Sequence, residues 1–182
     1  MTKEEIQRRL RDNHKNFTEL ILSLNDRDFL LSANGKWTAG QQLDHICRSV
    51  TALDQGLKLP KFIIKLILGK ANRPSKDYEG LVAKYKLRLA QGGTAAGRFV
   101  PKPVGSDQKT IGTEKLLNTI DSLCKKIDEY SEEQLDYYIL PHPLLGKLTL
   151  REMLYFTIYH VEHHQQLTRR NLGQSNLPVP GL

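Results

Sequence analysis

The stretch TLREMLYFTIYHVEHHQQLTRRNL, residues 149–172, predicts a long amphipathic helix and holds three of the chain's six histidines. Thr149 and Glu152 have the spacing of a capping box, in which two side chains satisfy the first free N–H groups of a helix. Gly173 fits the end of this helix, and Pro178 lies in the polar tail beyond it. Apolar residues at helical spacing define its buried side. They are Leu150, Met153, Leu154, Val161 and Leu167.

His160 and His164 are four residues apart, so they share one face of this helix. A rotation of about 100° per residue puts both on the buried side, whereas His163 falls towards its edge. Burying two neutral imidazoles without partners costs hydrogen bonds, and burying them charged costs more. Two arrangements resolve this cost: a divalent metal that takes a lone pair from each neutral ring, or a hydrogen-bonded pair of core histidines.

His45 is a candidate third ligand on a second helix, which opens at Trp37-Thr38 with another capping box between Thr38 and Gln41. It lies off the apolar stripe of that helix. The residues on its own face are small or polar, as beside a cavity or on an exposed surface. They are Gln42, Ser49, Ala52 and Gly56. His14 is expected at the surface or in the core, and His142, between two prolines, at a pocket rim or in a plain loop.

Two further helices, at residues 2–24 and 113–130, complete an antiparallel four-helix bundle. The connecting segments are expected to hold loops at 25–28 and 32–35, short helices at 62–68 and 75–89, a long loop at 91–112 and a turn at 131–134. Thr2 and Glu5 give the first helix a third capping-box pattern. No segment predicts a strand. The chain of 182 residues is therefore expected to be a single all-α domain spanning residues 1–182.

The net charge of +7 is concentrated in one segment. Residues 58–102 hold eleven basic and two acidic residues, so they carry +9 and leave −2 for the rest of the chain. Such a segment attracts an anionic small molecule, a phosphate backbone or an acidic membrane, or is a solvated lysine-rich insertion. No apolar run is long enough to span a membrane, and the polar N-terminus lacks the apolar region of a secretory signal. Together with two unpaired cysteines, Cys47 and Cys124, this predicts a cytoplasmic protein.

Three motifs in order resemble the DinB-like superfamily, also called the DinB/YfiT-like metalloenzymes. They are WTAGQQLDHI at 37–46, HPLLGKLTLRE at 142–152 and HVEHHQQL at 160–167. The resemblance implies a DinB/YfiT-like four-helix bundle with one divalent transition metal, nickel or zinc, at its open end. The family's three ligands correspond to His45, His160 and His164. The sequence departs from the simplest family pattern in the extended basic connection 58–112, which is expected to cover the metal, line the pocket or mediate homodimer contacts.

Three neutral ligands leave the metal's charge uncompensated and leave coordination positions open. Two reactions fit such a site: hydrolysis by metal-bound hydroxide, and S-transfer from a low-molecular-weight thiol activated by the metal. The resemblance favours S-transfer, because relatives use bacillithiol, mycothiol or glutathione, and the basic segment suits an anionic thiol or substrate. No general base is identified. His142, Tyr159, His163 and Gln166 are candidates for positions near the site, each equally consistent with packing or surface.

Two non-catalytic interpretations are also consistent with the sequence. One is a bundle that a metal merely stabilises, without turnover. The other is nucleic-acid binding through the basic segment. It is disfavoured because the sequence has no helix-turn-helix, no zinc finger and no basic surface interleaved with aromatic residues.

Overall fold

The computed structural model describes residues 1–175, and within them the fold consists of eight α-helices and one β-hairpin. The helices are α1 (Lys3–Ser23), α2 (Asp26–Leu30), α3 (Ala39–Leu57), α4 (Lys61–Leu68), α5 (Tyr78–Ala90), α6 (Lys109–Asp128), α7 (Glu132–Tyr137) and α8 (Leu150–Ser175). The hairpin consists of β1 (Ile139–His142) and β2 (Gly146–Thr149). Three short 3₁₀ turns lie at Ala33–Gly35, Gly97–Phe99 and Ser106–Gln108.

The predicted all-α four-helix bundle is confirmed. The long helices α1 and α3 each pack against both α6 and α8, and the apolar core lies between these four helices. Ile6, Leu10 and Phe17 of α1 are fully buried, as the helical spacing of apolar residues requires. Burying four such stripes on one another supplies the apolar contact that stabilises the bundle.

The helix starts follow the predicted capping chemistry in two of three cases. Thr38 with Gln41 and Thr149 with Glu152 form complete capping boxes. At α1, the side chain of Thr2 accepts the Glu5 N–H, but the Glu5 carboxylate pairs with Arg9 instead of returning to Thr2. The first helix therefore carries half of the predicted box.

The prediction that the chain has no strand is wrong. β1 and β2 pair antiparallel, with Ile139 opposite Thr149 and Pro141 opposite Lys147. Strands of four residues give too short an alternation to be recognised, and a proline such as Pro141 disfavours a strand. A proline is tolerated there because a two-stranded sheet leaves the outer edge of each strand without a strand to bond.

Several segment boundaries also differ from the prediction. The expected turn at 131–134 is the start of helix α7, and the helix expected from residue 75 begins at Tyr78. The expected loop at 25–28 overlaps α2, which is capped by the side chain of Asn25. The expected long loop ends earlier, because α6 begins at Lys109. At the C-terminus, α8 continues through Gly173 to Ser175, and Pro178 lies outside the described residues.

The connection 58–112 folds against the bundle. Helix α5 packs on α8, and α4 contacts β1. Residues 98–102 are bound to α3, because Arg48 donates to the Arg98 carbonyl at 3.2 Å and the Lys102 N–H donates to the Asp44 carboxylate at 2.8 Å. Across residues 1–175, no helix has both the length and the apolarity needed to cross a bilayer.

Candidate metal centre

Three histidines from two helices meet inside the bundle. The Nε2 atom of His160 lies 3.1 Å from that of His45 and 3.0 Å from that of His164. All three side chains are buried, so the predicted inward orientation of the two α8 histidines is confirmed. One nitrogen from each ring falls within 4.8 Å of the others, which is a grouping that could hold a metal ion.

Two of the three rings have their outer nitrogen fixed by a carbonyl oxygen. The Nδ1 atom of His45 lies 2.6 Å from the Phe99 carbonyl oxygen, and Nδ1 of His164 lies against the side-chain oxygen of Gln42. A carbonyl oxygen only accepts, so each Nδ1 carries the proton and each Nε2 presents a lone pair to His160. The single Nε2 of His160 can donate to only one of them. A shared cation would satisfy all three nitrogens, and the donor set fits a divalent transition metal.

Burial keeps these imidazoles neutral. It is the largest cause that lowers the pKa of His45, with partial offset by the hydrogen bond to Phe99. The pKa values of His160 and His164 fall well below the usual range, first through burial and then through the neighbouring imidazoles. Three neutral rings have lone pairs available for a cation without prior loss of a proton.

Aromatic side chains hold the rings in place. The Trp37 ring stacks on His164 with centroids 6.2 Å apart and is tilted against His45 at 5.1 Å. Phe156 stacks on His160 at 4.5 Å. Trp37 is the only tryptophan of the chain. Its fluorescence therefore reports on this one site.

A cavity of about 430 Å³ extends from the histidines. Its wall is mainly apolar and includes Ile46, Val50, Leu53, Leu68, Tyr85, Leu89, Phe99, Leu140, Met153 and Phe156. Thr94–Ala96 and Arg98 of the basic connection line it, so this connection forms part of the pocket. Among the lining residues that the structure describes, none is Asp or Glu and Arg98 is the one Lys or Arg.

Two of the four near-site candidates, His142 and His163, lie in the cavity wall. The Nδ1 of His142 accepts the N–H groups of Leu144 and Leu145, each at 3.1 Å, and its ring touches Phe156 edge-on. Burial, with Lys84 nearby, lowers the pKa of His142 to about 4. Burial also lowers the pKa of His163, whose ring centroid is 5.3 Å from that of His164.

The other two candidates lie outside that wall. Tyr159 is half-buried and packs edge-on against Tyr85, with the Lys86 ammonium over its ring. Gln166 is exposed. Neither is among the residues that line the cavity.

Sequence reasoning missed three contributors to the site. The Phe99 carbonyl leaves no trace in a side-chain pattern. Gln42 was placed on the His45 face, a signal that it belongs beside the site, but its bond to His164 was not foreseen. His14 is fully buried, lines the cavity and donates from Nδ1 to the Leu10 carbonyl at 2.7 Å, while its Nε2 has no hydrogen-bond partner in the described structure.

The family model of the DinB superfamily matches residues 9–167, a range that contains all three clustered histidines. No curated protein matches the chain.

Proposed function

This chain belongs to the DinB superfamily, and we propose that it is an enzyme that transfers the sulfur of a low-molecular-weight thiol to an electrophile. His45, His160 and His164 would hold one divalent metal, nickel or zinc. The observation that carries the proposal is the convergence of three Nε2 atoms, two of which are fixed as lone-pair donors by carbonyl oxygens on their Nδ1 atoms.

A divalent metal with three protein ligands keeps room for a substrate atom and lowers the pKa of a bound thiol, so that the thiolate forms at neutral pH. The chain's own residues set the conditions around it. Gln42 and the Phe99 carbonyl fix the ring orientations, and Trp37 and Phe156 shield the rings from water. In the proposed reaction the thiol proton goes to solvent, and a sulfur–carbon bond forms as the leaving group departs with its electron pair.

The cavity wall supports an anionic thiol and an uncharged electrophile. Arg98 provides the positive charge on the described wall, and no carboxylate opposes it. The rest is mainly apolar, which favours an electrophile with a hydrocarbon body.

Metal binding is tested first. Titration of the apo protein with nickel or zinc should change the Trp37 fluorescence and end near one metal per chain. His45→Ala, His160→Ala and His164→Ala should each weaken uptake by more than about 100-fold, because each removes a ligand. His163→Ala is the matched control, since it removes an adjacent imidazole that lies outside the cluster. Uptake that survives in all three ligand variants would place the metal elsewhere.

Activity is tested by incubating the metal-loaded protein with bacillithiol, mycothiol or glutathione and an apolar electrophile such as chlorodinitrobenzene. Mass spectrometry should detect the thioether. A Cβ at Gly56 would meet only the Leu140 side chain, at 3.9 Å. Gly56→Leu should therefore fill the cavity, suppress conjugation and leave metal uptake intact. Absence of any conjugate from the metal-loaded protein, with turnover of an ester instead, would replace S-transfer by hydrolysis.

A further inference from the structure

Helix α4 turns an apolar face to solvent. Phe62, Leu66 and Ile67 are 68%, 79% and 69% exposed. The opposite face anchors the helix, because Ile64 is fully buried and Leu68 packs against the core. Large exposed apolar clusters on otherwise polar proteins mark interaction surfaces. Within residues 1–175, no other part of the chain covers these three side chains.

Lysines accompany this apolar face. Residues 55–76 contain six basic residues and no acidic one, and two of the six, Lys58 and Arg73, pair with Asp54 and Glu152. Lys65 and Lys70 are exposed beside the face, whereas Lys61 is turned towards the bundle, where it donates to the Glu129 carbonyl and to Gln134. An exposed apolar strip with adjacent long cationic side chains is the pattern of a helix that lies in the interface of an anionic bilayer.

We infer that α4 is a docking surface for anionic lipid membranes. Phe62, Leu66 and Ile67 insert at the boundary between headgroups and acyl chains, and Lys65 and Lys70 contact lipid phosphates. A two-fold contact between two copies through this face would bring the same lysines together without an acidic residue from 55–76 to balance them. A nucleic acid would pair with the lysines but would leave the three apolar side chains in water.

The proposed docking surface lies beside the cavity. Leu68 of α4 and Leu59, just before the helix, line the cavity from the side of α4. The part of the cavity that Leu59 and Leu68 line therefore lies next to the docking surface. The docking inference itself does not depend on the metal or on S-transfer.

Flotation of the full chain with vesicles tests the inference. Vesicles of phosphatidylcholine with added phosphatidylserine should carry the protein, and phosphatidylcholine alone should carry much less. Phe62→Ser combined with Leu66→Ser should weaken binding at least about tenfold, because both side chains lose their apolar contact with lipid. Lys65→Gln and Lys70→Gln should each weaken binding to the anionic vesicles about fivefold, an effect that added salt should mimic.

The matched control is Ile111→Ser, which removes an apolar side chain of the same 68% exposure from α6 and should bind like the wild type. All these positions are exposed, so thermal unfolding should stay unchanged and separate docking from folding. The inference is overturned if the wild type stays off both kinds of vesicle, or if the Phe62/Leu66 variant floats like the wild type. Equal binding to both vesicles removes the role of the lysines. A dimer that the same substitutions dissolve, without vesicle binding, assigns the face to a second copy.

Discussion

At the start of α8, the buried carboxylate of Glu152 accepts hydrogen bonds from four N–H donors, whereas further along the same helix the inner nitrogens of His160 and His164 lie against each other and His45. The donors to Glu152 are two guanidinium nitrogens of Arg73, at 2.6 and 2.8 Å, and the backbone N–H groups of Lys76 and Thr149. The start and the middle of α8, called here the Glu152 end and the histidine end, thus both bury groups that can ionise. Only at the Glu152 end does the protein supply all the partners.

This difference separates a structural site from a candidate functional site. At the Glu152 end, hydrogen bonds from Arg73 and Lys76 attach residues 70–77 to the start of the helix. The carboxylate there requires no further partner. At the histidine end, the Nε2 atom of His160 lies about 3 Å from the Nε2 atoms of His45 and His164. Their lone pairs stabilise the fold only when a proton or a cation lies between the nitrogens. In this chain, convergent lone pairs that the protein does not satisfy distinguish the candidate site from the Glu152 end, which is also buried.

The largest stability effect is expected at the satisfied end. Glu152→Gln should lower the free energy of unfolding by about 3 kcal/mol, because Arg73 loses its ionic partner while the amide accepts fewer of the four bonds. Urea denaturation measures this change. Metal uptake should remain that of the wild type.

Glu133→Gln, an exposed carboxylate on α7, is the control and should change stability little. If Glu152→Gln abolished metal uptake in a protein that is still folded, the division of α8 into two independent ends would be wrong.

The next effect concerns pH and His14, whose Nε2 is a further unsatisfied nitrogen in the cavity wall. Burial lowers the pKa of His14 from 6.5 to about 4, although its bond to Leu10 opposes the shift. Its folded-state pKa lies below the unfolded one, so the contribution to stability is complete above the unfolded pKa and is lost as the pH falls towards the folded value. From pH of about 7 to about 5 this single group should cost about 2 kcal/mol.

His14→Leu should reduce that acid loss by the same amount, as measured by urea denaturation at the two pH values. Lys36→Gln, at an exposed position, should keep the acid loss of the wild type. An unchanged acid dependence in His14→Leu would show that His14 is protonated equally easily in the folded chain.

The smallest effect is expected at the histidine end and rests on the proposed metal. Gln42→Leu removes the acceptor for His164 Nδ1 and should weaken zinc binding about tenfold in a chelator competition, because the ring loses its fixed orientation and some basicity. Gln42→Glu keeps an acceptor and should restore binding.

Gln55→Leu, at an exposed position on the same helix, is the control for general effects on α3. If Gln42→Leu bound zinc as the wild type does, the hydrogen bond to His164 would have no part in metal affinity.

Local patterns predicted the helices that matter most. The capping boxes at Thr38 and Thr149 fixed the starts of α3 and α8 because both partners lie within one turn. The apolar positions of α8 predicted that His160 and His164 face inward, because each residue of an α-helix is rotated by the same angle from the one before it. The hairpin and α2 were missed because strands of four residues and a helix of five carry little periodic signal.

The bundle, its family and the three histidines that could meet were all predictable from the chain alone. Each of these depends on spacing along a helix or on motifs contiguous in the chain. The tertiary structure decided how the site is completed: the Phe99 carbonyl lies 54 positions from His45, and Gln42 lies 122 positions from His164. It also decided that Arg73 meets Glu152 across 79 positions and that α4 keeps an apolar face in water. Such pairings depend on how separate helices and loops pack together, and no local periodicity encodes that arrangement.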